Sequence, residues 1–318
     1  MADRTGIQYV DSTVSPSTGC DGCELHLRGK GGPCYAGHLH VGRLALAMPG
    51  RYAPEFTDVR LVAGRMAKAA AWPDLRGKAR PGKPWFPARL PRMIFVSDMS
   101  DALSAAVPFE FLKAEVVDVA TSPKGRRHIW TWLTKRPSRM AEFARWLLAE
   151  HGAGWPDNLW AGTSVTSRKT LGRIDHLLEV PAPYHYASLE PLREAVDLSD
   201  YLDRGHEDGL GWVPEPSLAW VQIGGESRQA GLAADARPFD VEWARDLIRQ
   251  CRAGGAAPFV KQLGSNPYDS SGSGRGYCAA NLLELRDSHG GDWDEWPADL
   301  RVREFPTVWL EEEEVAHA

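Results

Sequence analysis

The sequence predicts an α/β protein built as a (β/α) barrel or partial barrel of about six to seven parallel strands, and three observations carry that prediction. Short apolar, β-rich runs recur at residues 7–10, 93–96, 129–133, 159–165, 184–189, 220–223 and 259–263. Helical patterns separate most of them, and nearly every run ends in polar residues. Strands alternating with helices indicate a parallel sheet with helices packed outside it, and in a barrel the polar strand ends converge on one face.

The helices can be placed one at a time. Pro108 precedes Phe109, Leu112, Val116 and Val119, a stripe that suits a helix with proline in its first turn. Ser138 can cap a helix whose Met140, Phe143, Trp146 and Leu147 share a face, and Gly152 is placed to end it. Thr166 can do the same for Leu171, Ile174, Leu177 and Leu178, and Asp240 for Val241, Ala244, Leu247, Ile248 and Cys251. That last stripe makes Cys251 a core thiol.

Composition narrows the class further. The 318 residues are 43% hydrophobic and 25% charged, which excludes a disordered or fibrous chain. The formal net charge of -5 implies no global attraction to nucleic acid or membrane, so any such attraction is local. No apolar run suits a membrane span, and no signal peptide is evident, so the expectation is a cytoplasmic protein without membrane contact. The barrel-type domain is expected over residues 1–263, with a cysteine loop at 14–40 and a basic loop at 76–92. A C-terminal extension at 264–318 ends in an acidic tail, and residues 200–219 form an acidic insertion expected to be a loop.

The strongest chemical signal is the cysteine loop. Cys20, Cys23 and Cys34 lie close together among glycines directly after the first expected strand, so three thiolates can converge without a helix resisting them. They suit either a [4Fe-4S] cluster with one iron left for a substrate or S-adenosylmethionine, or a zinc site completed by His38 or His40. The opening of this loop onto the functional face favours iron. Cys278, in a glycine-rich segment, is a weaker candidate for a fourth ligand or a lid thiol.

The strand ends supply the other candidates. Ser97, Asp98, Gly224, Gly225, Glu226 and Ser227 close these runs and are candidates for a binding pocket. Lys135 and Arg136 can hold an anionic substrate such as a nucleotide phosphate, or can pair with Glu190 across the barrel. Between 76 and 92 lie Arg76, Lys78, Arg80, Lys83, Arg89 and Arg92 with Trp85-Phe86 and no acid, which suits either a nucleic-acid strip or a solvated connecting loop.

Taken in order, Gly6-Ile7-Gln8-Tyr9, Thr18-Gly19-Cys20, Cys34-Tyr35-Ala36, Phe95-Val96-Ser97-Asp98-Met99-Ser100-Asp101 and Leu133-Thr134-Lys135-Arg136-Pro137 resemble a known pattern. So do Trp160-Ala161-Gly162-Thr163-Ser164-Val165, Leu189-Glu190-Pro191-Leu192, Gly224-Gly225-Glu226-Ser227, Ala236-Arg237-Pro238 and Phe259-Val260-Lys261-Gln262. The chain resembles the phage-associated three-cysteine-motif family, also called the phage gp-thirty-seven/gp-sixty-eight family, whose members look like radical S-adenosylmethionine proteins. The resemblance implies a radical-SAM-like barrel and an iron-sulfur enzyme acting on a nucleotide or nucleic-acid-related substrate, with Ser97, Asp98, Glu226 and Ser227 as candidates to hydrogen-bond the methionine amino group and ribose hydroxyls beside Gly224 and Gly225. It also implies a possible partner protein of the three-cysteine-motif type. The alternative function is a zinc-stabilised nucleic-acid-binding protein without catalytic activity. Two departures stand out. Val14-Ser15-Pro16 replaces the Trp-Asn-Pro usual in that family, and the gap between Cys20 and Cys23 is shorter than usual.

Overall fold

The computed structural model describes residues 1–26, 34–207, 212–228, 236–272 and 276–306. It is mixed α/β, with a seven-stranded parallel sheet. The strands are β1 (Ser12–Val14), β2 (Arg92–Val96), β3 (His128–Thr134), β4 (Leu159–Ser164), β5 (His185–Leu189), β6 (Leu218–Gly224) and β7 (Ala257–Gln262). They stand in the sheet in the order in which they occur in the chain. Sequential order with no reversal is that of a partial (β/α) barrel; a doubly wound sheet would contain a switch point. The chain divides into two compact units, Met1–Thr163 with Glu179–Pro183, and Ser164–Leu178 with Tyr184–Ala318.

In the first unit α1 (Tyr35–Leu39) runs into a π-helical turn, His40–Leu44, and α2 (Arg65–Ala70) and α3 (Phe109–Leu112) follow. The long helix is α4 (Pro137–His151). Pro137 occupies its first turn, so the helix opens just after Arg136 and not at Ser138 as the capping pattern suggested. Its buried stripe is Met140, Ala141, Phe143, Ala144 and Leu147, and Gly152 ends it at φ 59°, where a side chain would be strained. Phe143 meets Trp132 of β3 edge-on at 5.9 Å between centroids, and Trp155 stacks on the same indole. One face of the sheet is therefore sealed by aromatic packing.

The first strand lies at Ser12–Val14, downstream of the apolar run at 7–10. Tyr9 and Val10 are buried all the same, with Tyr9 packed against Phe95. What holds the N-terminal segment is the basic loop. Arg80 is buried beside Asp11 at 3.4 Å and donates to the carbonyls of Lys78, Pro87, Ala88, Leu90 and Pro91. Lys83 donates to Ile7 and Val10 carbonyls, Trp85 to Gln8 at 3.0 Å, and Arg92 to Asp3 and Ser12. Four of the loop's polar side chains, those of Arg80, Lys83, Trp85 and Arg92, are thus spent inward, while Arg76, Lys78 and Arg89 are exposed. Buried guanidinium needs such partners, because its desolvation is otherwise uncompensated.

In the second unit α5 (Arg173–Leu178) follows a 3-10 turn whose capping box is Ser167 with Thr170, so Thr166 is not the cap. α6 (Val241–Ala253) is capped by Asp240, which accepts from Glu242 N at 3.1 Å, and it buries Val241, Ala244, Leu247, Ile248 and Cys251 as expected. The segment at 200–219 contains an antiparallel pair, Gly205–Glu207 with Trp212–Pro214, where a loop was expected. Parts of 264–272 and 276–306 bond to the end of the sheet or are buried. Val260 N donates to Val302 O at 2.8 Å, Leu263 N to Gly290 O at 2.8 Å, and Trp296, Leu300 and Phe305 are buried. The acidic tail, Glu311 to Glu314, lies outside the described residues. Among the described residues, no helix is long and apolar enough to cross a membrane.

Two outcomes test this account. Arg80→Met leaves Asp11 buried without its cation and should cost about 3–5 kcal/mol in urea unfolding; a loss below about 1 kcal/mol would show that the loop does not anchor the N-terminus. His128, buried on β3, has its pKa lowered to about 4, chiefly by desolvation. A depressed histidine pKa means that the unfolded chain takes up the proton first. Stability is therefore full above about pH 6.5 and falls as pH drops toward 4, by about 3 kcal/mol at most. His128→Gln should flatten that part of the pH–stability profile.

Candidate functional site

The cysteine loop of the first unit sits on the C-terminal ends of β1, β2 and β3. Gly19 forms a parallel bridge with Ser100, just beyond β2, and Ser17 Oγ donates to Ser100 Oγ at 3.2 Å. Cys20 N donates to Phe56 O at 2.8 Å. Gly19 has to be glycine here: its φ is +79°, and a Cβ would lie 2.6 Å from the Asp58 carbonyl oxygen. Cys34 caps α1, its Sγ accepting from Gly37 N at 3.4 Å. Tyr35 next to it donates its hydroxyl to the Asp98 carbonyl, which ties the third cysteine to the end of β2.

These ties bring the thiols together. Cys20 and Cys34 share one buried apolar cluster with Ala36, Phe56 and Met99. Burial pushes both thiols up from the ordinary cysteine range, and Cys34 also feels the charge of Cys23 and, with the opposite effect, that of Lys135. Of the strand-end residues expected near the cysteines, Lys135 and Arg136 are therefore present. Arg136 Nη2 lies 3.7 Å from Cys20 Sγ and donates to Gly22 O at 2.6 Å.

Arg136 does not pair with Glu190. Its guanidinium bonds Asp21 and, at 2.7 Å, Asp101. Asp101 is 6% exposed and also accepts from Thr134 Oγ1 at 2.9 Å, Lys135 N at 3.1 Å and Leu103 N at 3.0 Å. Burial alone would depress the Arg136 pKa, but the charges of Asp101, Cys20 and Asp21 outweigh it and raise it. Asp101 is thus the residue that ties the end of β3 to the loop after β2, a role hidden in sequence behind its suitability as a helix cap.

Ser97 and Asp98 lie at the end of β2 as expected, but their side chains have structural partners. Ser97 adopts φ 76° and its Oγ accepts from Ala102 N at 3.3 Å; Asp98 accepts from Ser15 Oγ at 2.7 Å. A serine held in the left-handed region is backbone strain at a strand end, where sites concentrate.

The histidines sort differently from the sequence expectation. His40 is buried with Nε2 on the Ala53 carbonyl at 2.8 Å, which removes that nitrogen as a ligand. His26, which the spacing did not single out, forms a bridge with Cys23 and packs on Phe56 at 5.0 Å; a Cβ on Gly37 would lie 2.9 Å from its Nδ1. Burial, then the charge of His38, pushes its pKa down. Among the described residues, no group of three or more His, Cys, Asp or Glu side chains is arranged to hold a metal ion. The donor chemistry is that of a thiolate-binding group: Cys20 and Cys34 share one cluster, Cys23 lies within electrostatic reach of Cys34, and Arg136 and Lys135 bring positive charge to Cys20 and Cys34 respectively.

The remaining candidates belong to the second unit. Glu190 pairs with Lys261 and accepts from Ser188 Oγ at 3.5 Å. Glu226 is bound to Arg237 at 2.5 Å and also accepts from Arg237 N at 3.1 Å; Ser227 Oγ accepts from Gln262 Nε2 at 2.8 Å. Gly224 and Gly225 allow β6 to end against β7: a Cβ at Gly225 would lie 2.3 Å from the Leu263 carbonyl oxygen. Cys278 caps the 3-10 turn Ala279–Asn281, and Cys251 is fully buried with its pKa pushed up to about 12 by desolvation.

A partial (β/α) barrel with a three-cysteine loop on its strand ends defines an α/β protein with a thiol-rich site. Residues 4–297 match the family described as "Protein of unknown function (DUF5131)", and the chain belongs to that family. No curated protein and no solved structure matches it.

Arg136→Met tests the site's support. It should destabilise the protein by about 3 kcal/mol, because Asp101 loses its cation while buried. It should also speed alkylation of Cys20 in the folded protein, read by mass spectrometry; an unchanged rate at Cys20 would show that Arg136 does not hold the loop.

Proposed function

We propose that this protein is an iron-sulfur enzyme of the radical S-adenosylmethionine type, in which Cys20, Cys23 and Cys34 hold a [4Fe-4S] cluster. The observation that supports the proposal is the placement of Cys20 and Cys34 in one cluster, with Cys23 in electrostatic reach of Cys34, at the C-terminal ends of parallel strands, where barrel enzymes build their sites. When bound and reduced, such a cluster supplies the electron that breaks a carbon–sulfur bond of S-adenosylmethionine and so starts hydrogen abstraction from a substrate. The chain's own residues then have defined duties. Arg136, fixed by Asp101 and Asp21, positions the Cys20 loop and donates toward its sulfur. Lys135, within electrostatic reach of Cys34, provides positive charge for the phosphate of a nucleotide or nucleic-acid-related substrate. Phe56, Ala36 and Met99 keep water from the buried thiols.

A zinc site is the second reading, with His26 beside Cys23 joining His38 as a candidate fourth ligand, while His40 Nε2 is held by the Ala53 carbonyl. Metal analysis separates the two. Protein purified without oxygen should be brown and hold about four irons with matching sulfide. Dithionite-reduced protein should convert S-adenosylmethionine to 5'-deoxyadenosine, and Cys23→Ala should lose both iron and this activity. Colourless protein with one zinc would overturn the iron reading; unimpaired iron content in Cys23→Ala would overturn the ligand assignment.

A further inference from the structure

The second unit carries a polar patch that the proposed cysteine chemistry does not use. Side chains alternate along β5, β6 and β7, and register places Ala187 beside Val221, and Ser188 beside Gln222, which in turn lies beside Phe259. One face therefore bears Ala187, Leu189, Val221, Ile223 and Val260, an aliphatic surface. The other changes character along the strands. It begins with Tyr186, Trp220 and Phe259, whose rings contact one another in series at 5.9 Å. It continues with Ser188 and Gln222, and it ends with Glu190 paired to Lys261. At that last level β6 contributes Gly224, where a Cβ would lie 3.2 Å from Glu190 Cγ.

Gln222 is the anomaly. It is 0% exposed, yet among the described residues neither its Oε1 nor its Nε2 has a hydrogen-bond partner. A buried amide normally bonds through both ends, because leaving them bare forfeits the hydration that each had in the unfolded chain. Its neighbours toward the strand ends are one carboxylate and one ammonium, and the glycine leaves the position directly beyond it on β6 without a side chain.

We propose that Gln222, Ser188, Glu190 and Lys261 form a binding site for a zwitterionic α-amino-acid head group. Glu190 takes the ligand's ammonium and Lys261 its carboxylate, so the ion pair that closes the site opens to admit a ligand carrying both opposite charges. The Gln222 amide, a donor and an acceptor side by side, bonds one group of each kind. The aliphatic and aromatic layers give the charges a low-dielectric setting in which matched pairing counts for more. This site is independent of the iron reading, because all four residues lie in the second unit.

Isothermal titration calorimetry on the full chain tests it. L-methionine, L-lysine and L-glutamate probe for a free amino acid, and S-adenosylmethionine probes for the same head group carried on a nucleoside sulfonium. A saturable response to the amino acids supports the site; a response to S-adenosylmethionine supports it only where Gln222→Leu and Glu190→Gln weaken it, because the proposed cluster also binds that molecule. Propionate and propylamine, each with half of the head group, should bind at least about tenfold more weakly. Gln222→Leu, close in volume, and Glu190→Gln should each weaken the response about tenfold or more, the effect of losing a hydrogen bond to a charged group; circular dichroism checks that both variants are folded. Two results would overturn the proposal: no response to any zwitterion, or undiminished affinity in both folded variants. Heat from amino-acid binding does not depend on iron content, so failure here leaves the cluster assignment standing, and the reverse also holds.

Discussion

A carboxylate buried at the end of β2 organises the first unit. Asp101 receives a hydroxyl, two backbone amides and a guanidinium, and through them it joins the loop after β2 to the end of β3. Arg136 then extends that link to Asp21 and Gly22 inside the cysteine loop. Charges buried this deeply are tolerated only when each is answered, and removing one partner leaves the other at a cost larger than the pair's net worth. The loop on which the proposed chemistry depends is therefore held by electrostatics that act from beneath it, in addition to its own short apolar cluster.

The same logic recurs at the opposite end of the strands. Arg80 lies beside Asp11 and gathers five carbonyls of its own loop and strand approach. Asp11 in turn accepts from Met93 N at 2.9 Å, so that β1 and β2 are aligned by a carboxylate before their own ladder begins. A loop rich in basic residues and proline became a clamp because each cation found backbone acceptors within reach. Polar groups that satisfy one another inside a fold tend to specify a single arrangement of the chain around them.

Much of the architecture was legible in sequence because periodicity and burial are local signals. The runs at 93–96, 129–133, 159–165, 184–189, 220–223 and 259–263 all coincide with strands, and Asp240 caps the helix it was expected to cap. The run at 7–10 misled, since Tyr9 and Val10 are buried by Phe95 and the basic loop without joining the sheet, whereas Ser12 and Thr13 form the strand despite their polarity. Ser12 can do so because Asp3 and Arg92, distant in sequence, take up its hydroxyl. Of the site, the three cysteines were visible from crowding alone. Asp101, Asp21 and His26 were not, because nothing local distinguishes a capping or loop residue from one aimed at a partner far along the chain.

Sequence by itself determined the class of fold, the sequence position of most strands and helices, and the presence of three thiols in a loop able to bend. Those properties follow from residue spacing and from what each side chain loses in water, and both are written locally. Only tertiary structure decided which polar groups meet: Arg136 with Asp101 and Asp21, Glu190 with Lys261, Glu226 with Arg237, and Gln222 with no hydrogen-bond partner among the described residues. Electrostatic and hydrogen-bond partners are chosen by distance in space, over separations along the chain that no periodicity records.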